Sequence, residues 1–202
     1  MQRKQIETKT DTRKMKNLNR IVSTVVLVSI LLFACKKEKI VISSHDHRNF
    51  MVDTLTGAKG AVFFFLAPEC PLSENYTLTI NQLQSQFVDS GLRFYAVVSG
   101  KLYDSVAIKD YANRFPLTLP LLVDTGYYFS NKFKATITPE VFLLNEKSEL
   151  VYQGAIDDWA TDLTQLKASA TKSYLLDAIN AMLISKPITI KKTNAVGCYI
   201  EK

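Results

Sequence analysis

The stretch Ala61–Tyr76 decides the fold, and it reads Ala-Val-Phe-Phe-Phe-Leu-Ala-Pro-Glu-Cys-Pro-Leu-Ser-Glu-Asn-Tyr. Its first six residues are apolar without alternation, which predicts a strand buried on both faces. Ala-Pro-Glu ends that run, and Pro71 follows where the first turn of a helix would accept it. Apolar residues then recur near helical spacing as far as Phe87. The sequence therefore places one thiol, Cys70, where a buried strand leads into an amphipathic helix.

The position of Cys70 has two opposite consequences for its chemistry. The free N–H groups of a helix start lower the pKa of a nearby thiol and so favour a reactive thiolate. The neighbouring carboxylate of Glu69 disfavours a second negative charge. The sequence leaves open which effect is stronger, and a buried, inert cysteine is the alternative to a reactive one.

Strands and helices alternate along the rest of the chain. Because such alternation produces parallel strands, and a closing hairpin adds antiparallel ones, we predict an α/β fold with a central mixed sheet and helices on both faces. The crevice beyond the carboxyl ends of the strands would contain Cys70. The predicted elements are strands at Leu92–Val98, Leu119–Val123, Val141–Leu144, Glu149–Ile156 and Pro187–Lys191, and helices at Asp104–Phe115, Tyr127–Phe133 and Thr171–Ile184.

The net charge of +6 belongs to one end of the chain. Residues 1–35 hold seven of the 25 lysines and arginines but only two of the 19 acidic residues, which leaves 18 basic and 17 acidic residues elsewhere. A nearly neutral domain has no basic patch of the kind that binds nucleic acid. We therefore expect no nucleic-acid partner.

The N-terminal region has the pattern of an export signal. A basic stretch ends at Arg20, and the apolar segment Ile21–Ala34 is short for a membrane span but suits a signal-peptide core. The end of this segment resembles a bacterial lipobox, in which Cys35 is lipidated. We predict a lipoprotein signal peptide at 1–35, a tether at 36–48 and a domain at 49–202, anchored on the periplasmic side of the cell envelope. An uncleaved anchor helix is the alternative.

Export changes the interpretation of the three cysteines. A lipidated Cys35 leaves Cys70 and Cys198, an even pair in an oxidising compartment. Cys198 is a candidate partner for Cys70, and a structural cysteine that never meets Cys70 is the alternative. The two histidines, His45 and His47, are weak metal candidates in a predicted linker.

Several motifs resemble those of the redoxins. The turn around Cys70 resembles the active-site turn of the thioredoxin fold, with Ser73 at the place of a second cysteine, and Thr138-Pro139 resembles the cis-proline of that fold. The spacing of further motifs resembles the peroxiredoxin-like subfamily of the alkyl-hydroperoxide-reductase/thiol-specific-antioxidant (AhpC/TSA) group. These motifs are Cys70-Pro-x-x-x-x-Tyr76, Thr138-Pro-Glu-Val-Phe142, Tyr152-x-Gly154-x-Ile-Asp-Asp158 and Ala195-x-Gly-Cys198-x-Ile200.

The resemblance implies a thioredoxin-like fold and a thiol-dependent oxidoreductase without a cofactor, with a thiol or disulfide protein, or a small oxidant, as its partner. It implies that Cys70 is the nucleophile, Pro139 the cis-proline and Cys198 a candidate resolving cysteine, with Ser73 beside them. Ala67 departs from the peroxidase pattern, which has a hydroxyl there. The alternative function is a non-catalytic module that binds copper or a partner protein. Asp157, Asp158 and Trp159 either border the crevice or belong to an ordinary loop and core.

Overall fold

A computed structural model of the chain describes residues 40–201. The predicted signal peptide, with Cys35, lies outside the described residues, as do residues 36–39 of the predicted tether. Within residues 40–201, no helix is both long and apolar enough to cross a bilayer.

A five-stranded mixed sheet forms the centre of the domain, in the order β5-β4-β3-β7-β8. Strands β3, β4 and β5 are parallel, and β7 and β8 are antiparallel to their neighbours. The predicted α/β class and mixed sheet are confirmed. The sheet strands are β3 (Gly60–Phe65), β4 (Leu92–Ser99), β5 (Leu121–Asp124), β7 (Glu140–Asn145) and β8 (Leu150–Gly154); β1 (Val41–Ser43) pairs with β2 (Asn49–Met51), and β6 (Ile137–Thr138) pairs with β9 (Cys198–Tyr199).

Strand β3 is buried along its whole length, as its uninterrupted apolar run predicts. Val62 and Phe64 face one side of the sheet, whereas Phe63 and Phe65 face the other. A phenylalanine on each face removes a large apolar area from water, and a fully buried side chain of this size contributes about 1.5–3 kcal/mol. The strand that precedes Cys70 is therefore fixed from both sides.

Helices cover both faces of the sheet. Buried side chains of α2, α3 and α5 pack with Val62 and Phe64, while Phe129 and Phe133 of α4 pack with Phe63 on the opposite face. The helices are α1 (Pro71–Asn75), α2 (Thr77–Gln86), α3 (Ser105–Arg114), α4 (Tyr128–Phe133) and α5 (Tyr174–Leu183), with a short 3-10 helix at Val52–Thr54.

Three local features differ from the sequence-based expectation. The stretch predicted as a tether contains a strand from Val41 onward, because the apolar Ile42 packs against the core. The helix after Cys70 is interrupted at Tyr76, whose side chain reaches away to Asp157. The strand predicted at Pro187–Lys191 is wrong, since this segment meets β8 only at its end, through the Gln153 N–H and the Lys191 carbonyl.

Candidate active site

Cys70 lies at the junction that the sequence predicts. It is the residue before α1, in an extended conformation (φ −88°, ψ 111°), and Pro71 begins the helix. Glu69 turns the chain there with a positive φ of 64° and leaves its own side chain exposed. The Cys70 side chain is only 1% exposed. The turn thus presents the thiol toward the protein interior, against Ala67 and Leu72.

Ser73 closes the active-site turn from the helix side. Its hydroxyl oxygen accepts a hydrogen bond from the Ala67 N–H at 3.1 Å, and its side chain is fully buried. The hydroxyl proton remains free to interact with the Cys70 sulfur. Ser73 therefore fills the place of a second cysteine with a group that holds the turn together.

The segment before Pro139 contacts the thiol from the other side. The Thr138–Pro139 peptide bond is cis, in agreement with the resemblance. The Cys70 thiol donates a hydrogen bond to the Thr138 carbonyl, with a sulfur–oxygen distance of 3.2 Å. The thiolate cannot make this bond, so the carbonyl favours the protonated form.

The C-terminal segment brings the second cysteine to the same point. Strand β9 pairs antiparallel with β6, and Thr138 lies opposite Cys198 in the register. The two sulfur atoms of Cys70 and Cys198 lie 2.6 Å apart, across 128 positions of sequence. A disulfide between them requires a further approach of about half an ångström, since the S–S bond is about 2.05 Å long. The structure brings together the two cysteines whose meeting the sequence left open.

The two thiols have opposite shifts in pKa. Burial raises the pKa of Cys70, but the thiol of Cys198 and the N–H and hydroxyl of Ser73 outweigh it, so the Cys70 pKa lies below its ordinary value. Burial and the neighbouring Cys70 raise the pKa of Cys198 to about 12. In the contact between the two sulfurs, Cys198 is therefore the hydrogen-bond donor and Cys70 the acceptor. Glu69, whose effect the sequence left open, is not among the main causes of the shift.

Two glycines allow the C-terminal segment to pass close to the domain. A Cβ on Gly197 would lie 2.0 Å from the Thr138 carbonyl oxygen, and a Cβ on Gly154 would lie 2.3 Å from that of Thr193. The Thr193 hydroxyl also bonds to the Tyr152 hydroxyl at 2.8 Å. Residues of the Thr138 motif and of the Tyr152 motif thus contact the C-terminal segment and fix its path.

The loop after β8 lies beside the sulfur pair. Trp159 packs in the cluster that contains Cys70 and Cys198, and its ring meets Tyr76 edge to face at 5.3 Å between centroids. Asp157 accepts hydrogen bonds from the Tyr76 hydroxyl at 2.5 Å and the Trp159 N–H at 2.9 Å. Asp158 instead binds Lys167, Thr171 and Lys172, which organises the loop. Neither aspartate contacts a sulfur atom; Asp157 supports the cluster through Tyr76 and Trp159.

The metal candidates do not gather around the thiols. Within the described part of the chain, no group of three or more histidine, cysteine or acidic side chains is placed to hold a metal ion. His45 instead joins the edge of the sheet, where its N–H donates to the Leu121 carbonyl at 3.0 Å. A copper site built from Cys70, Cys198, His45 and His47 is not supported by this arrangement.

The three arginines of residues 40–201 also make their contacts elsewhere. Arg48 binds Asp46, Arg93 binds the Thr54 carbonyl and Arg114 binds Asp110. Ala67, at the position of the peroxidase hydroxyl, supplies only a methyl group. The described residues around Cys70 therefore offer neither the hydroxyl that a peroxidase has at position 67 nor an arginine side chain.

Sequence reasoning missed two residues that support the site. Glu140, buried directly after Pro139, accepts from the Thr136 N–H at 3.2 Å, and the Thr136 carbonyl accepts from the Ile200 N–H at 2.9 Å. Burial raises the pKa of Glu140. Glu140 lies within the Thr138–Phe142 motif, and Thr193 lies just before the motif that begins at Ala195. Nothing local in the sequence shows that these two residues hold the C-terminal segment in place.

The arrangement of these motifs agrees with one family. The AhpC/TSA family profile matches residues 33–153, which is more than half of the chain. The chain belongs to the AhpC/TSA family. The match includes the central strand, Cys70 and Pro139, whereas Cys198 lies beyond it. The family resemblance seen in the motifs is thereby confirmed, and no curated protein matches the chain in sequence.

Solved structures of low sequence identity share the fold of this AhpC/TSA-family chain. An uncharacterised conserved protein of Geobacillus kaustophilus is 19% identical, with a TM-score of 0.73 over 82% of this chain and 89% of its own. A hypothetical protein of Sinorhizobium meliloti is also 19% identical, with a TM-score of 0.69 over 81% and 90%. A secreted disulfide oxidoreductase of Mycobacterium tuberculosis is 13% identical, with a TM-score of 0.51 over 73% and 96%. The predicted thioredoxin-like fold is confirmed.

Proposed function

We propose that this protein is an exported, membrane-tethered thiol–disulfide oxidoreductase that cycles Cys70 and Cys198 between the dithiol and the disulfide. The observation that carries the proposal is the 2.6 Å separation of the two sulfur atoms. When the reduced protein is oxidised, Cys70 is the nucleophile, and Cys198 is the resolving cysteine that Ser73 cannot be. The partner is a protein thiol or disulfide, as the structural similarity to a secreted disulfide oxidoreductase also suggests.

The chemistry of the pair follows from the two pKa shifts. The thiolate is the reactive form of a cysteine, and the lowered pKa of Cys70 favours it. Cys198 remains protonated until it loses its proton to solvent or to a base, and then closes the disulfide. Disulfide exchange is preferred over peroxide reduction because Ala67 supplies no hydroxyl for a peroxide.

The first test is peptide mapping of the purified, air-oxidised protein without reductant. We expect a peptide that joins Cys70 to Cys198, and two free thiols would contradict the proposal. The second test measures the oxidation of a reduced dithiol peptide, in excess over the protein, with glutathione disulfide as the oxidant that regenerates the Cys70–Cys198 disulfide. Cys70→Ser and Cys198→Ser should each lower turnover by about 100-fold or more, since neither variant can form the disulfide. Cys35→Ser is the matched control, because it removes a cysteine that takes no part in the pair.

Export and tethering have a separate test. Cells that produce the full chain are labelled with palmitate, and the wild type is compared with Cys35→Ala. Label in the wild type alone supports lipidation at Cys35. Equal labelling of both proteins would show that the lipoprotein assignment is wrong and would leave the thiol chemistry unaffected.

A further inference from the structure

The two sulfur atoms of the pair differ in their access to solvent. Cys70 is 1% exposed, whereas Cys198 is half-buried. Ala67, Leu72 and the Thr138 carbonyl lie against Cys70, and Cys198 contacts its sulfur from the C-terminal segment. A thiol arriving from solvent therefore meets Cys198 first.

The C-terminal strand also closes the side of Cys70 that an extended partner segment would need. Strand β9 occupies the edge of β6, with the Ile200 N–H bound to the Thr136 carbonyl at 2.9 Å. The Thr138 hydroxyl donates to the Cys198 carbonyl at 3.3 Å. While the tail stays paired, the backbone beside Cys70 has no free edge at this segment, and Tyr199 of the tail points outward with 81% of its surface exposed.

We propose that Cys198, not Cys70, is the sulfur through which the oxidised protein exchanges with external thiols. This inference rests on the proposed function, since it requires the Cys70–Cys198 disulfide. An external thiolate forms a bond to the Cys198 sulfur, the Cys70–Cys198 bond breaks, and its electron pair leaves on Cys70 as a thiolate. The mixed disulfide thus joins the partner to Cys198.

The same direction of attack produces the better leaving group. In thiol–disulfide exchange the sulfur with the lower pKa leaves faster. The pKa of Cys70 is lowered and that of Cys198 is raised, so Cys70 is the better leaving group. The order of leaving groups and the greater exposure of Cys198 therefore both favour attack at Cys198. Attack at Cys70 would have to expel Cys198, the poorer leaving group, from a covered position.

The cycle is completed by a second thiol of the partner. Its thiolate attacks the partner sulfur of the mixed disulfide and releases Cys198, which takes up a proton. The partner dithiol is thereby oxidised to a disulfide by two electrons, and the Cys70–Cys198 disulfide is reduced to Cys70 thiolate and Cys198 thiol. The partner class is accordingly a protein dithiol.

The experiment uses the oxidised full chain carrying Cys35→Ser, mixed with reduced glutathione as a monothiol probe. Samples are quenched in acid after increasing times, digested with pepsin and analysed by mass spectrometry, with the distribution extrapolated to zero time. We expect glutathione on Cys198 at least ten times as often as on Cys70. Equal labelling, or a majority on Cys70, would overturn the inference.

The disulfide content of the protein before mixing distinguishes the two ways in which this experiment can fail. If the protein before mixing contains no Cys70–Cys198 disulfide, the proposed function is wrong and the inference falls with it. If the disulfide is present and glutathione appears mainly on Cys70, the redox pair stands and the assignment of the exchanging sulfur is wrong.

Discussion

The turn that carries Cys70 and the tail that carries Cys198 hold their sulfur atoms in opposite ways. The turn joins a fully buried strand to a helix, and Ser73 binds it internally through the Ala67 N–H. The tail is a two-residue strand on another two-residue strand. The sulfur atom of Cys70 is therefore fixed by the core, whereas that of Cys198 is held by a few contacts of the tail.

A side chain added to the tail where it lies closest to Thr138 should have the largest effect on the rate of disulfide formation. In Gly197→Ala the new Cβ would lie 2.0 Å from the Thr138 carbonyl oxygen, so β9 must shift relative to β6. We expect disulfide formation to slow by about tenfold or more, because effective concentration depends on holding the two groups together. The rate is measured by mass spectrometry after oxidation with glutathione disulfide.

Gly126→Ala is the matched control for that change, since a Cβ there meets nothing within 4 Å. It should leave the rate of disulfide formation unaltered. An unchanged rate in Gly197→Ala as well would mean that the pairing of β9 with β6 does not bring the cysteines together.

A substitution in the turn that carries Cys70 should change both the free energy of unfolding and the Cys70 pKa. Ser73→Ala leaves the buried Ala67 N–H without its acceptor, which costs about 1–3 kcal/mol in the free energy of unfolding. It also removes a group that lowers the Cys70 pKa, so that pKa should rise. Urea unfolding of the reduced protein measures the first effect. Ser85→Ala, an exposed serine in α2, should be nearly neutral by comparison.

The contact between the two sulfurs should appear in the pH dependence of the reduced protein. The folded-state pKa of Cys70 is lowered, so its contribution to stability is present above the unfolded pKa and is lost as the pH falls through the folded pKa. Cys198→Ala removes a hydrogen-bond donor and should raise the Cys70 pKa. Cys198→Ser keeps a donor and should largely restore it. Thiolate absorbance at about 240 nm follows the titration; identical curves for the two variants would contradict the assignment of Cys198 as the donor.

The smallest effect on disulfide formation is expected for a substitution beside the two cysteines, at Tyr76. Tyr76→Phe removes the hydrogen bond from the Tyr76 hydroxyl to Asp157, which still accepts from the Trp159 N–H. The free energy of unfolding should fall by about 1 kcal/mol. The rate of disulfide formation should stay within twofold of the wild type, since no sulfur contact changes. A rate that falls with stability would show that the Tyr76 contact helps to hold the cysteines.

The turn could be predicted from sequence because its determinants are local. An apolar run, a Pro-Glu break, a cysteine and a helix-starting proline lie within a few residues, and their order defines the strand, the turn and the helix. The cis bond before Pro139 was also expected, on the resemblance of Thr138-Pro139 to a family motif. Local patterns and this resemblance together thus predicted the fold and one half of the site.

The other half depends on contacts that no local pattern reveals. Cys198 reaches Cys70 because Thr193 anchors the tail beside Gly154, and because Gly197 lets the tail lie against Thr138. Each of these glycines stands in a motif visible in the sequence, but its role depends on a partner segment dozens of residues away. The same reasoning explains why Pro187–Lys191 was wrongly predicted as a strand: its apolar residues suit a strand, but only its end meets β8.

The 128-residue separation of the two cysteines has a mechanical consequence. In the oxidised protein, a pulling force applied between residues 40 and 201 would pass through the bond between Cys70 and Cys198. Four of the five strands of the central sheet, all except β3, would lie within the covalent loop and would be bypassed by the force. Only strands β1, β2 and β3, before Cys70, could be peeled away and lengthen the chain. Reduction would return the whole domain to the path of the force, so the redox state would set how far the protein can be stretched.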